Sequence, residues 1–435
     1  MKKRASHAQK KIAVWLKKQY AGRAKIEISN RKRTEHNRAD DWPELVGCGG
    51  IKSSLLAFGV DQFDSTDNSE RASLSLDKYI SRYYQVMLIS NFVGLSGVVY
   101  VQERFGWKLG FGISIILLFF AVLSFFAASP LYVMLKAKKR PFCRFLNKSC
   151  IISNAKQDFS LDKNVLEPSR VCTVDQVEEL KALIKVAPIL STSFIFYSAI
   201  SQSSIEVVLV KTMERHLTPN FEIPAGFFTS LPLLFSIIWL ALYDHLIIPL
   251  ASKILGRPVS ISIKTRLGIG LLSPSLAMAL AAVVESLRRK AAIQEGFADK
   301  LLAVVNISAS WLLPKFLLSG IGNAFIMIGL AEFFLKELPK SMSSVASVIP
   351  TIGVGMGPLL LTFIFSMIDY VTGKGGKDSW VSTNVNKAHF DYFFWLLSIL
   401  SLINFVYFLI CCKAYGPCIG DQDVKDRDEE KAIKH

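Results

Sequence analysis

Eight apolar blocks, 18 to 28 residues long, recur along the 435-residue chain and leave it few folds to choose from. They span 84–101, 109–135, 186–209, 225–251, 267–287, 308–335, 344–368 and 392–412. A hydrocarbon core of roughly 30 Å is crossed by about 20 helical residues. Inside lipid each backbone group must bond within its own segment, so such blocks form helices. The ten-residue alternation of a lipid-embedded barrel is absent. A soluble chain of this length would interleave polar residues throughout, whereas here they collect between the blocks. The expectation is an all-α membrane protein, consistent with its mean hydropathy of +0.35. A ninth, partial block, 46–63, is short and Gly-rich and carries Lys52.

The net charge of +16 is uneven. Residues 1–38 hold 13 Lys or Arg against two Glu. A solvated basic segment near a membrane accounts for this better than nucleic-acid binding, and no nucleic-acid partner is expected. Ile12, Trp15, Leu16 and Tyr20 share one helical face with Lys around it, a pattern suited to an anionic membrane surface. No signal peptide is expected, because the first apolar stretch is short and interrupted by Lys. The seven cysteines, Cys48, Cys143, Cys150, Cys172, Cys411, Cys412 and Cys418, lack CxxC or Cys/His ligand spacing. Neither zinc nor a disulfide framework is indicated. Cys411 and Cys412 end the last block, where apolar packing is favoured over acylation.

The longest polar connection, 136–185, carries 11 Lys or Arg. The positive-inside rule places it in the cytoplasm, together with the 64–82, 252–266 and 336–343 connections. It separates two full blocks from six. The expected divisions are a basic segment 1–44, an incomplete first bundle 45–135, a cytoplasmic linker 136–185, a six-helix bundle 186–412 and a cytoplasmic tail 413–435.

No HExxH, GxSxG or GxxxxGK[ST] motif occurs, and the Gly-rich 373–377 stretch has the wrong spacing for phosphate. The chain is not expected to be an enzyme. Six dispersed His give no metal cluster, and no cofactor is expected. The informative residues are polar ones at membrane depth, where a charge costs about 2.5–3.5 kcal/mol and so faces a cavity or a partner. Lys52 is one: with its segment inserted it needs a carboxylate, an anionic substrate or water beside it, and with the segment not inserted it is an exposed lysine. Tyr197, Ser201 and Ser204 make one hydroxyl face; Ser198, Gln202 and Glu206 make a neighbouring one. They suit a cavity lining for a polar solute or hydrogen bonding between helices. Glu206 is also within about one turn of Lys211. Asn323 lies within its block as helix–helix glue or as a solute contact. Asp244 and Arg266 flank one inner connection, either joined in a salt bridge that would hold a cytoplasmic gate or standing as two solvated flanking charges.

The segment GCGGIKSSLLAFGVDQFD resembles the fourth-helix motif of the proton-coupled oligopeptide transporter family, closest to its plant nitrate and peptide branch. The resemblance continues in order through YVQERFGWKLGFG, EELKALIKVAPI, FEIPAGFF, YDHLIIPLASK, KTRLGIG, WLLPKFLLSGIG, ELPKSM and NKAHFDYFFWLL. It implies a major-facilitator bundle of two six-helix halves about a central site, with protons as the coupling ion. The solute expected is a small polar or anionic one such as nitrate. The eight full blocks then correspond to family helices five to twelve, and Lys52 to the family's fourth-helix lysine. A plasma-membrane location is expected.

Departures from the family pattern bear on coupling. Residues 1–44 match none of it, so the first-helix ExxER motif has no counterpart here. Asn323 stands where the family carries a tenth-helix carboxylate, and an Asn cannot take up and release a proton. Ile200 stands where nitrate carriers have a seventh-helix His. The usual Arg after Tyr243 and Asp244 is His245. The alternative expectation is therefore a truncated, non-transporting membrane protein, an isoform or gene remnant, that associates with full-length relatives.

Overall fold

The computed structural model describes residues 55–60, 62, 70–131, 174–218, 221–256, 261–300, 303–339, 342–374, 379–382 and 384–416. Lys52, the basic segment 1–38 and most of the 136–185 connection lie outside them. Residues Leu56–His435 form one compact unit, distinct from Met1–Leu55.

Among the described residues, eight helices are long and apolar enough to cross a membrane, one for each full block. The first is α1, Glu70–Val93, which passes through a π-helical turn at Gly94–Val98 into α2, Val99–Phe105. Gly106, at φ 96°, ends it and turns the chain into α3, Trp107–Ala127. The third spanning segment is broken into α4, Val174–Ile200, and α5, Ser203–Lys211. A short α6, Ala225–Phe228, leads into α7, Leu231–Leu242, continued by a π-helical turn and α8, Ile248–Leu255. Then come α9, Ile263–Gln294, α10, Leu313–Glu337, α11, Ser343–Thr372, and α12, Phe390–Tyr415.

Several helices outrun their apolar blocks. The 267–287 block sits inside α9, and the 186–209 block starts a turn or more after α4 does. Hydropathy falls where a helix leaves the hydrocarbon, but its hydrogen-bond ladder continues. The 109–135 block is the reverse case. Its helix ends at Ala127, and Ser129–Leu131, with Pro130 at its centre, forms a 3-10 turn.

The second-half helices form one packed bundle. α9 lies against α10 and α12, α4 against α11 and α12, and α7 against α10. α10 is the most deeply enclosed, with Phe316, Phe325, Phe333 and Phe334 buried. Lipid tails offer helices no hydrophobic incentive to associate, so small residues and interhelical hydrogen bonds do much of the joining. Ser275 and Ser398 exchange bonds of 3.1 and 2.8 Å between α9 and α12. Asn404 of α12 donates to the Thr192 carbonyl of α4 at 2.8 Å. Gly357 lets α11 approach α4: a Cβ there would lie 2.4 Å from Tyr197 Cβ and 2.7 Å from the Tyr197 carbonyl carbon. Gly357→Val is therefore expected to push the two helices apart and cost about 1–3 kcal/mol. Thermal unfolding of the purified protein checks this; an unchanged midpoint would show that the helices part freely.

Of the first-half elements, α1 joins the bundle and α3 scarcely does. Leu76, Ile80, Tyr84 and Leu88 recur every four residues on α1 and pack with Leu240 of α7 and with Ala324, Ile328 and Ala331 of α10. Nearly all apolar side chains of α3 are exposed, as lipid-facing side chains are.

At the end opposite the 252–266 connection, strand β1, Met213–Glu214, pairs in parallel with Val305–Ser308, and His216–Thr218 pairs antiparallel with Phe221–Glu222. Wholly buried Arg288 of α9 is fixed there. Its guanidinium makes two 2.7 Å bonds to Glu285, one of 2.7 Å to Asn386, one of 3.2 Å to Thr212 and one of 3.0 Å to the Val385 carbonyl. Asn386 in turn donates to the carbonyls of Lys300 and Phe297. The clamp thus ties together the connections after α5, α9 and α11. Nearby, His389 stacks on Tyr392 with ring centroids 4.6 Å apart. Burial, followed by the charge of Arg289, lowers the affinity of its imidazole for a proton.

Candidate functional site

Two groups of polar residues lie between the helices, one on the seam between α1 and the second-half helices and the other at the break between α4 and α5.

The seam is built from an unusual stripe. Lys78, Ser81, Arg82 and Gln85 fall at i, i+3, i+4 and i+7, so they share one face of α1 beside its apolar one. That face lines a cavity of about 630 Å³ whose other walls come from α7, α8, α9 and α10. Asp244, in the π-helical turn after α7, accepts hydrogen bonds of 2.7 Å from both Ser81 and Gln85. Arg266, near the start of α9, makes a 2.7 Å ion pair with Glu332 of α10. Its guanidinium carbon lies 5.7 Å from the centre of the Tyr243 ring.

Asp244 and Arg266 therefore reach the same cavity but are not bonded to each other. The expected Asp244–Arg266 salt bridge is replaced by two separate links, because each residue finds a better-placed partner on a third helix. Ser81 and Gln85 hold Asp244 across the seam; Glu332 holds Arg266 within the second-half bundle. Glu332 escaped the sequence reading, although a carboxylate inside an apolar block is a recognisable signal.

The break between α4 and α5 falls at Ser201–Gln202, where Gln202 leaves helical geometry at φ −97°, ψ 21°. The two hydroxyl-rich faces expected for 197–206 are consequently interrupted. Tyr197 is buried against α11, edge-on to Phe196 with ring centroids 5.1 Å apart. Ser198 donates to the Ile195 carbonyl of its own helix. Gln202 is 1 % exposed, and its side-chain nitrogen donates to the Ala199 carbonyl at 2.7 Å. Its side-chain oxygen is buried without a hydrogen-bond partner.

Glu206 forms an ion pair with Lys315 of α10, not with Lys211, which lies exposed at the end of α5. Both members of the pair are buried. Together with Glu285 they border a void of about 10 Å³, barely room for one water. Lys315 was a second missed signal, a lysine one residue after Pro314 inside an apolar block. Asn323 is half-buried, lines neither cavity and makes no side-chain hydrogen bond among the described residues. Lys52 lies outside them. No group of three or more His, Cys, Asp or Glu fit to hold a metal occurs among the described residues.

Comparison with known proteins places this geometry. The family model described as the POT family matches residues 45–381. The Arabidopsis thaliana protein NRT1/PTR FAMILY 1.2 is 40% identical over 419 residues, covering 86% of this chain and 69% of that protein. NRT1/PTR FAMILY 1.1 of the same plant is 38% identical over 439 residues, covering 89% of this chain and 74% of that protein. Among solved structures, an auto-inhibited POT family peptide transporter superposes with a TM-score of 0.57 at 16% identity, over 85% of this chain and 76% of the other. The POT family transporter PepTSo gives 0.58 at 15% identity, over 84% and 76%. At those identities the superpositions speak for the fold, and the sequence matches speak for the family. With eight helices among its described residues long and apolar enough to cross a membrane, this chain is a multi-pass membrane protein that belongs to the POT family of transporters.

Proposed function

We propose that the chain is a secondary active carrier that moves a small polar or anionic solute, of the nitrate class, together with protons across the plasma membrane. The observation that carries the reading is the seam. One first-half helix is joined to the second-half bundle through a polar link, Ser81 and Gln85 to Asp244, beside a cavity of about 630 Å³. Alternating access needs two halves that part and rejoin, and contacts that exchange hydrogen-bond partners are the means. Asp244 and Arg266 serve this gate with different partners, Asp244 across the seam and Arg266 by keeping Glu332 in place. In the proposed orientation the gate faces the cytoplasm, because the basic 136–185 connection lies on that side.

Lys52, Tyr197, Gln202, Glu206 and Asn323 are the proposed solute and coupling residues. Of the four described, Gln202 has the clearest support, since a buried carbonyl oxygen without a donor at a helix break is suited to a water, or to a solute that brings an N–H or O–H donor, which nitrate itself lacks. Uptake by cells expressing the chain at acidic outside pH tests the proposal. Solute accumulation above the empty control is expected, falling to the control level in Lys52→Ala while membrane insertion is kept. No uptake by the parent, with the protein at the membrane, would sink the carrier; full uptake by Lys52→Ala would remove that lysine from the mechanism.

A further inference from the structure

The seam cavity carries more positive charge than its own carboxylates neutralise. Lys78, Arg82 and Arg266 face it against Asp244 and Glu332. Asp244 is engaged by Ser81 and Gln85, and Glu332 by Arg266. Lys78 and Arg82 are left one turn apart on the same stripe, with no acidic partner among the described residues. Like charges at that spacing repel, and an anion between them relieves the repulsion. From the α9 wall, Arg266 uses Nη1 for Glu332, and its Nε–H is buried with no acceptor. The cavity volume lies within the roughly 300–1,000 Å³ of small-ligand pockets.

We propose that this cavity is a binding site for a phosphate-class oxyanion, held by Lys78 and Arg82 from α1 and by Arg266 from α9. A planar guanidinium offers paired N–H donors to two oxygens of one anion, and the lysine adds a point charge. The occupied site bridges α1 to the second-half bundle, so the anion stabilises the closed seam. Binding of this kind does not require transport and stands if the carrier reading fails. The oxyanion has two sources, free phosphate or the phosphate headgroup of an acidic lipid entering between the helices.

Thermal unfolding separates them. Protein purified in neutral detergent is heated in sodium phosphate and in sodium chloride of equal ionic strength. In parallel, the protein is reconstituted in nanodiscs of phosphatidylcholine alone or with phosphatidic acid. A rise of about 2–4 °C is expected with the phosphate-bearing partner. A rise in detergent identifies the free ion; a rise confined to phosphatidic acid identifies the lipid. Lys78→Gln/Arg82→Gln, both exposed positions that leave the packed face of α1 untouched, is expected to lose most of the rise. Lys253→Gln, an exposed charge outside the cavity, is expected to keep it. No rise in the parent under either condition, or an equal rise in the double variant, overturns the site.

Discussion

Arg288→Ala is expected to destabilise the protein by about 3–5 kcal/mol. The substitution removes a wholly buried cation and leaves the Glu285 carboxylate with neither of its 2.7 Å donors. It also orphans the Asn386 oxygen and the Val385 carbonyl, which anchor the connection after α11. An uncompensated buried charge costs far more than the intact pair contributes, since desolvation has already consumed most of the attraction. Arg288→Lys should rescue little, because a single ammonium cannot reproduce the forked contact with Glu285 while reaching Asn386. Glu285→Leu/Arg288→Met should recover part of the loss by removing both charges. The checks are the thermal midpoint in detergent and the fraction of monodisperse protein. An Arg288→Ala midpoint within a degree or two of the parent would show that the network closes without its centre.

That clamp was invisible in the sequence for an identifiable reason. The apolar block of α9 ends at residue 287, so Arg288 falls just beyond it, where charges commonly flank a membrane span. α9 in fact runs on to Gln294, and the charge lies beneath connections drawn from three other parts of the chain. The helices themselves were legible because the bilayer imposes a length and a composition that any reader of the sequence can count. Partners were not legible. Glu206 was recognisable as a charge needing company, but its nearest basic neighbour in sequence, Lys211, is not its partner in space. Asp244 and Arg266 line one cavity without bonding to each other, because helical rotation decides which charges meet and Ser81, Gln85 and Glu332 are far off in sequence. The resemblance of ordered motifs, by contrast, led to the family that the sequence comparisons identify.

The Glu206–Lys315 pair allows packing and coupling to be separated. Lys315→Met alone strands the Glu206 carboxylate between α5 and α10 and is expected to cost about 3–5 kcal/mol; Glu206→Leu alone strands the ammonium at similar cost. Glu206→Leu/Lys315→Met together should return close to parental stability, because two apolar side chains of similar volume replace a pair whose attraction barely exceeds its desolvation. The non-additivity of this cycle, of the order of several kcal/mol, measures the contact itself. Uptake in the stable double variant then bears on function without the complication of misfolding. If Glu206 takes part in coupling, removing the only titratable carboxylate of α5 should lower proton-driven uptake at least tenfold while the protein stays folded and inserted. Parental uptake by the double variant would make the pair a strut between two helices, and the search for the coupling carboxylate would move to Asp244 and Glu332 at the seam.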